Sequence, residues 1–304
     1  MNLRDLKYLI AVADTRHFGQ AAERCFVSQP TLSGQIKKLE EELGVTLFER
    51  SKRSVETTHP GEIIVAQARR VLEQADALLQ LAQSHQDPLV GPLRMGVIPT
   101  LSPYLMPLIL QPLQTQYPQI KLVLSEELTD TLLTRLDKHE IDAALLATPV
   151  ENPDFESIPL FEEPFWLVHP RNHPLSKKKK IIQTDLDCTD LLLLAEGHCL
   201  AEQAMEVCHL HERAVQGDLA DLRAASLETL LQLVAAGFGC TLLPALALNA
   251  VSAKDKGIMT RQLQLPDTYR QISLVYRRTF PRRKVLEVFA AVVLENLPDT
   301  IRAI

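Results

Sequence analysis

The segment that most constrains the fold runs from Leu191 to Cys208. It opens with four leucines, an apolar run short enough for a buried strand, and then turns at residues 196–197, Glu-Gly. The stretch from Leu200 to Val207 is rich in helix-forming residues, so a helix is predicted to begin near Cys199. A strand, a tight turn and a helix in direct succession indicate an α/β domain.

Cys199 is a candidate reactive cysteine because of this position. The unpaired N–H groups and the positive dipole end of a helix N-terminus favour a thiolate, and His198 can donate a hydrogen bond or a charge. Cys208 lies nine positions on, about 13 Å along a helix, whereas a disulfide needs Cα atoms within about 7 Å. A bridge would therefore require the helix to melt, as in a redox switch. The alternative to a switch is that the helix simply contains two unrelated thiols.

Length and composition limit the class of protein. The 304 residues, with a net charge of −6, suffice for about two domains. The first 20 residues have no secretory apolar region and no apolar run reaches membrane-spanning length, so we expect a cytoplasmic protein without a membrane partner. In that compartment the five cysteines are not a disulfide framework, and any bridge should be transient.

The N-terminal 60 residues have the pattern of a helix-turn-helix. Amphipathic helices are predicted at Leu3 to Ala13 and at Phe18 to Arg24, and a third helix starts with Ser28 as N-cap and Pro30 in the first turn. The buried stripe of the third helix is predicted to be Leu32, Ile36, Leu39 and Leu43. An ordinary three-helix packing unit is the alternative.

The other side of the third helix is suited to reading base edges in DNA. Its polar and exposed positions are Ser28, Gln29, Pro30, Thr31, Ser33, Gln35, Lys37 and Lys38. A basic segment with Arg50, Lys52 and Arg53 precedes a short wing strand at Val55 to Thr57, and these cations are predicted to contact phosphates or the minor groove. Residues 1–70 carry 11 Lys and Arg against 9 Asp and Glu, which is compatible with a DNA-binding head on an acidic body.

A long helix from Glu62 to about Ser84 is predicted to form a dimer. Its apolar residues alternate by four and three, which is a coiled-coil seam: Ile64, Ala68, Val71, Ala75, Leu78 and Ala82. A helix in the core of its own chain is the alternative. Asp87 to Pro92, with two prolines, is predicted to be a linker.

From Leu93 onward, short apolar runs alternate with helical patterns. Strands are predicted at Leu93–Ile98, Ile120–Leu124, Ala143–Leu146, Phe165–Val168, Leu191–Leu194, Cys240–Leu243 and Ile272–Tyr276. Four residues lie at strand-to-helix junctions, where ligands bind in such sheets: Thr100, Thr129, Cys199 and Ser226. Thr129 and Ser226 are predicted to cap the helices that follow them. Together these positions predict one polar crevice with a thiol in it. No Walker or dinucleotide glycine motif is present, and no cofactor is expected.

The chain resembles the LysR-type transcriptional regulators over its whole length. The resemblance is carried by Ala21–Arg24, Val27–Ser33, Ile36–Glu40, Leu43–Val45 and Leu47–Arg50. It implies an N-terminal winged helix-turn-helix (1–60), all-α apart from its wing, and a dimerisation linker helix and hinge (61–87). The rest (88–304) would be a C-terminal α/β regulatory domain of the periplasmic-binding-protein-like kind. Its subdomain I would span about 91–164 and 268–304, and its subdomain II about 165–267.

Within that family, three segments resemble the branch that senses hydrogen peroxide: 197–208, Ala225–Leu230 and Leu242–Ala247. This resemblance implies that Cys199 is peroxidatic and Cys208 resolving. It also implies a peroxide pocket of Thr100, Thr129, His198 and Arg270. The partners it implies are double-stranded promoter DNA, hydrogen peroxide, a second copy in a homodimer, a homotetramer, and RNA polymerase. A regulator of this kind is not an enzyme.

Three other functions remain open at this point. A zinc sensor could use His198, Cys199, Cys208, His209 and His211, although the paired C-x-x-C spacing of zinc sites is absent. A LysR-type regulator with inert cysteines could respond to a small carboxylate. A thiol peroxidase would turn over with a reductant. Cys25, Cys188 and Cys240 are interpreted as non-sensor thiols.

Overall fold

A computed structural model of the chain describes residues 1–50, 55–84, 89–187, 190–208, 223–250, 257–263, 265, 266 and 268–304. The chain divides into two compact units, Met1–Gln86 and Asp87–Ile304. Over these described ranges, no helix is both long enough and apolar enough to cross a membrane.

The first unit is a winged helix-turn-helix followed by one long helix. Its elements are α1 (Leu3–Thr15), α2 (Phe18–Arg24), α3 (Gln29–Leu43), β1 (Phe48–Arg50), β2 (Val55–Thr57) and α4 (His59–Ser84). The strands β1 and β2 pair antiparallel and form the predicted wing. The predicted N-cap of α3 is confirmed, because the Ser28 hydroxyl accepts the N–H of Thr31 at 3.3 Å. Leu43, the last residue of the predicted buried stripe, is instead 36% exposed, because α3 ends there and Gly44 turns the chain at positive φ.

The prediction that α4 carries one uninterrupted seam for a partner is wrong at Ala68. That residue is 3% exposed and packs in the core of its own unit, and Ile64 packs partly against the same core. An ion pair between Arg69 and Asp14 ties this part of α4 to α1. Val71 and Leu78 of the predicted seam are exposed, and Ile63 and Leu79 are further exposed apolar residues of α4. Ala75 is half-buried, and the side chain of Ala82 lies outside the described residues.

The second unit is built on an eight-stranded mixed sheet. Its strand order is β10-β6-β11-β5-β3-β4, and β9 and β12 also pair with β6. Its strands are β3 (Gly91–Val97), β4 (Ile120–Glu126), β5 (Ala143–Leu146), β6 (Phe155–Pro170), β9 (Thr241–Pro244), β10 (Ile258–Gln262), β11 (Tyr269–Arg277) and β12 (Arg302–Ala303). A separate parallel pair joins β7 (Leu193–Leu194) to β8 (Arg223–Ala224).

Helices cover this sheet and create two hydrophobic cores. They are α5 (Ser102–Gln116), α6 (Thr129–Asp137), α7 (Gln183–Asp187), α8 (Cys199–Val207), α9 (Leu227–Ala235) and α10 (Arg283–Glu295), with 3₁₀ segments at Pro174–Lys177 and Ala245–Ala250. Core I contains apolar residues between Leu93 and Phe161 and between Ile272 and Val293. Core II contains those between Phe165 and Leu263. The chain therefore has the predicted two-part α/β architecture.

One strand differs greatly from its prediction. The expected strand Phe165–Val168 is the second half of β6, which runs for 16 residues. Pro159 and Pro164 interrupt the apolar pattern before Phe165, and proline is unusual inside a sheet. The pairing of β6 with β11 shifts in register at Ile272/Ser273, next to Pro159. The single strand β6 thus enters both cores.

Candidate functional site

Cys199 is the first residue of α8, as predicted, and a glycine turn places it. Gly197 has a φ of +91°, and a Cβ at this position would lie 2.9 Å from the side chain of Leu128. Only glycine fits here without strain, and its small size lets the start of α8 approach Leu128, the N-cap residue of α6. The Cys199 side chain is half-buried and packs against core I.

Thr129 does not cap α6, contrary to the prediction. Leu128 occupies the N-cap position, and Thr129 is the first residue of the helix. Its hydroxyl is buried and forms no hydrogen bond of standard geometry with any atom of the described residues. It lies close enough to the Cys199 sulfur to stabilise the thiolate. The side chain is thus directed at the thiol rather than at its own backbone.

Arg270 and Thr100 form a buried pair beside the thiol. The Arg270 Nη1 donates to the Thr100 hydroxyl at 2.8 Å, and Nη2 donates to the Thr100 carbonyl at 3.1 Å. Arg270 and Thr100 are 2% and 3% exposed. The guanidinium also lowers the pKa of Cys199, so its charge acts on the sulfur.

Glu163 belongs to this network and was not predicted from the sequence. Its Oε2 accepts from the Arg270 Nε at 2.9 Å, and both side chains are fully buried. Burial of an unpaired guanidinium would be very costly, so a carboxylate partner was to be expected for Arg270. The signal in the sequence was a pair of glutamates, 162–163, inside the strand Phe155–Pro170.

The expected stabilisation of the Cys199 thiolate is outweighed in this structure. Burial raises the pKa of Cys199, while Arg270, Thr129 and the backbone N–H groups of Leu200 and Cys199 lower it. The net direction is upward, because removal of the sulfur from water disfavours the charged form more than these groups favour it. At neutral pH the resting group is therefore a thiol, and the helix N-terminus alone does not make it a thiolate.

His198, the residue before Cys199, and Thr100 line an open cleft of about 620 Å³. His198 is the N-cap residue of α8, and its side chain makes no cap hydrogen bond. Burial lowers the pKa of His198, and the backbone of Ala225 opposes this shift. The imidazole is therefore neutral at neutral pH and can donate from one nitrogen and accept at the other. Ser226, the confirmed cap of α9, lines the same cleft.

Cys208 is the C-cap residue of α8 and is fully buried in core II. It and Cys199 lie at opposite ends of one helix and are not joined by a disulfide. A nine-residue helical separation is about 13 Å, roughly twice the Cα distance of a disulfide. The predicted incompatibility between this helix and a Cys199–Cys208 bond therefore holds in the observed fold.

Cys240 and Cys25 are the other cysteines that the structure describes. Cys240 is buried, its sulfur is 3.6 Å from the His173 Nε2, and burial together with the charge of Asp190 raises its pKa to about 12. Cys25 is the C-cap residue of α2, and burial raises its pKa. Both environments favour an unreactive thiol. Cys188 lies outside the described residues.

Most of the residues predicted to contact DNA belong to α3 and its N-cap. Ser28, Gln29, Pro30, Thr31, Lys37 and Lys38 are exposed, and Ser33 and Gln35 are half-buried. Arg50 ends β1, but its side chain lies outside the described residues, as do Lys52 and Arg53.

The described residues contain no group of three or more His, Cys, Asp or Glu side chains that could hold a metal ion. Among the zinc ligands considered above, His198, Cys199 and Cys208 are described. His209 and His211 lie outside the described residues.

Comparison with known proteins identifies relatives of the whole chain. Residues 3–62 match the family of bacterial regulatory helix-turn-helix proteins of the lysR type, and residues 86–298 match the LysR substrate binding domain. The chain is 43% identical over 297 residues to a hydrogen peroxide-inducible genes activator from Dickeya chrysanthemi, with 98% of this chain and 96% of that protein covered. It is 44% identical over 293 residues to the DNA-binding transcriptional dual regulator OxyR of Escherichia coli K12, with 96% and 95% covered.

Solved structures agree with these relatives. A full-length cysteine-to-aspartate variant of OxyR from Pseudomonas aeruginosa superposes with a TM-score of 0.79 at 40% identity, covering 98% of this chain and 99% of that one. A hydrogen-peroxide-bound cysteine variant of OxyR from Corynebacterium glutamicum gives a TM-score of 0.67 at 35% identity, covering 97% and 92%.

Proposed function

Because this chain belongs to the LysR family of bacterial regulators, and within it to the hydrogen peroxide-inducible genes activators, we propose that it is a hydrogen-peroxide-sensing regulator of antioxidant genes. The observation that supports this most directly is the environment of Cys199. The thiol at the start of α8 meets the hydroxyl of Thr129 and the charge of Arg270, and a second thiol, Cys208, ends the same helix.

The first chemical step is oxidation of Cys199. Thr100, Thr129, His198 and Arg270 bind hydrogen peroxide next to the sulfur, which loses its proton as it attacks one peroxide oxygen. The O–O bond breaks, the sulfur becomes a sulfenic acid, and the leaving hydroxide takes up the proton as water. Negative charge develops on the leaving oxygen, so preorganised hydrogen-bond donors there lower the barrier. Such donors explain how a thiol with a raised pKa can still react.

The second step joins the two cysteines. The Cys208 thiol attacks the sulfenic sulfur, a disulfide forms and water leaves. The bond requires α8 to unfold, which removes Leu200, Ala201 and Ala204 from core II. The disulfide must offset this loss, to which a leucine side chain alone contributes about 1.5–3 kcal/mol. Met205 and Val207 pack only partly against the core, so their share is smaller than their size suggests.

The head and the linker helix turn this change into gene control. The polar side of α3 reads promoter DNA, Arg50 and Arg53 hold its backbone or minor groove, and Val71 and Leu78 of α4 join two copies. Two such dimers form a tetramer through their regulatory domains, and the rearranged domains alter contact with RNA polymerase. The protein acts in the cytoplasm, and it is not an enzyme because one peroxide oxidises one switch without turnover.

Operator binding and transcription with and without peroxide test the proposal. Wild type should respond, Cys199→Ser should stay in the reduced form, and Cys208→Ser should form the sulfenic acid without keeping the oxidised conformation. Hydrogen exchange in 200–207 should rise on oxidation. Normal gene activation without a Cys199–Cys208 peptide in mass spectrometry would refute the disulfide step.

The cleft supports a second candidate function. A space of about 620 Å³ bordered by Thr100, Tyr104, Ser226 and Glu228 is large enough for a small polar molecule. On this alternative the regulator would respond to an effector and its cysteines would be inert. An unchanged response of Cys199→Ser would favour it.

A further inference from the structure

We propose that Glu163 is a positioning residue for the reaction of Cys199 with peroxide: it acts through Arg270 to direct the Thr100 hydroxyl at the bound peroxide. The inference rests on the proposed function and adds a residue to it. Glu163 itself contacts the arginine and the backbone of Leu246.

The geometry leaves Arg270 little freedom. Glu163 and Arg270 are paired across β6 and β11, and both are fully buried. The Glu163 Oε2 accepts from the Arg270 Nε at 2.9 Å and lies 2.8 Å from Nη2. The Glu163 Oε1 accepts the N–H of Leu246 at 2.8 Å. One carboxylate therefore fixes the guanidinium from one side and is itself fixed by the backbone.

The direction of the hydrogen bonds then determines what Thr100 can do. Arginine only donates, so the Thr100 hydroxyl is the acceptor in its 2.8 Å contact with the Arg270 Nη1. The hydroxyl proton of Thr100 is left free to donate elsewhere, and Thr100 borders the open cleft. The order Glu163, Arg270, Thr100 thus leaves a hydrogen-bond donor at the edge of the cleft, where the proposed function places the leaving oxygen of peroxide.

A carboxylate is required at this position because both of its oxygens accept. A glutamine would turn its amino group toward either Arg270 or the N–H of Leu246, and one of these buried donors would lose its acceptor. Glu163 also offsets part of the positive charge with which Arg270 acts on the Cys199 sulfur. Removal of this carboxylate should therefore displace the Thr100 hydroxyl and, at the same time, increase the net positive charge that Arg270 exerts on the Cys199 sulfur.

The variant Glu163→Gln separates these two effects through two rates measured at Cys199 by mass spectrometry. Oxidation by peroxide should fall about ten- to a hundredfold, the size expected when a reacting group is misplaced by about 1 Å. Alkylation by iodoacetamide at pH 7 needs no Thr100 donor and should rise about three- to tenfold, because the less compensated Arg270 favours the thiolate. Glu162→Gln is the matched control: this neighbour is 3.6 Å from Arg302, and both rates should stay at the wild-type value.

Glu163→Asp keeps the charge but shortens the reach, so it should slow peroxide oxidation and leave alkylation unchanged. Because this variant keeps the buried Arg270 compensated, it carries the test if Glu163→Gln does not fold, as judged by circular dichroism. Equal fold-changes of both rates, or two unchanged rates, would overturn the positioning role. A wild type that peroxide does not oxidise at Cys199 would instead overturn the proposed function, while the alkylation rates would still decide whether Glu163 controls the charge at the sulfur.

Discussion

The side-chain amide of Gln183 donates a hydrogen bond to the carbonyl oxygen of Val207 at 2.9 Å. Val207 is the last residue of α8 and immediately precedes Cys208. The final carbonyl groups of a helix have no partner within the helix, so this contact stabilises the end of α8 that must open before Cys208 can reach Cys199.

Gln183→Ala should therefore accelerate formation of the disulfide. A net hydrogen bond contributes about 0.5–1.5 kcal/mol, so the open form of α8 should become about two- to tenfold more populated. The measurement is the ratio of disulfide to dimedone-trapped sulfenic acid after a pulse of peroxide. Gln232→Ala is the control, because the Gln232 amide donates to the exposed Glu228 on α9, at 3.4 Å, and not to the end of α8. Equal ratios in wild type and Gln183→Ala would show that opening of this helix end does not limit the reaction.

Oxidation of Cys199 should depend steeply on pH. Burial raises its pKa, so the thiolate is the minor form at neutral pH and its fraction grows as pH rises. The rate of peroxide oxidation should increase about tenfold per pH unit from about pH 6 to pH 8. Stopped-flow measurements of peroxide consumption would reveal this slope. A rate that levels off below pH 7 would mean that the thiolate already dominates the reduced protein.

Two substitutions on α3 should affect DNA binding in different ways. Thr31→Ala removes a proposed base contact and should cost about 1–3 kcal/mol with relaxed specificity at one operator position. Lys38→Ala removes an exposed cation and should weaken all sequences alike, with a shallower dependence on salt. Fluorescence anisotropy on operator and scrambled duplexes at several salt concentrations distinguishes the two. The proposed docking fails if neither change alters affinity.

The exposed apolar side chains of α4 should mediate dimerisation. Leu78 is 69% exposed and Val71 37% exposed, so the double substitution Val71→Glu and Leu78→Glu should leave the fold intact while the charges separate two copies. Light scattering at micromolar concentration should then report a monomer. Ala66→Glu adds a charge on another side of the same helix and should leave the assembly unchanged. A wild type that is already monomeric would contradict the proposal itself.

Local patterns in the sequence were sufficient to predict most of the fold. The helix boundaries of the head, the start of α8 at Cys199 and the cap at Ser226 depend on nearest-neighbour chemistry, which a sequence displays directly. The sequence also indicated the approach of Thr129 and Arg270 to Cys199, through its resemblance to a family.

The features that were missed depend on contacts between distant residues. Residues 155–164 of β6 include two prolines and several glutamates, and this stretch is a strand because it pairs with β11. Glu163 becomes significant only when the fold buries it against Arg270, 107 positions away. The direction of the Cys199 pKa shift is a balance between burial and charge, and burial cannot be read from local sequence. Likewise, Ala68 is not available to a partner chain, because this side of α4 packs into the core of its own helix-turn-helix unit.

The length of β6 has a mechanical consequence. A strand of 16 residues is roughly 50 Å long, and it is hydrogen-bonded to β11 over its first half and to β9 and β10 over its second. We expect a continuous strand paired along its whole length to resist bending, so closing the two cores around a ligand would strain the sheet pairing near Pro164. We therefore expect oxidation of Cys199 to change the shape of the protein surface around α8, while the sheet keeps its geometry.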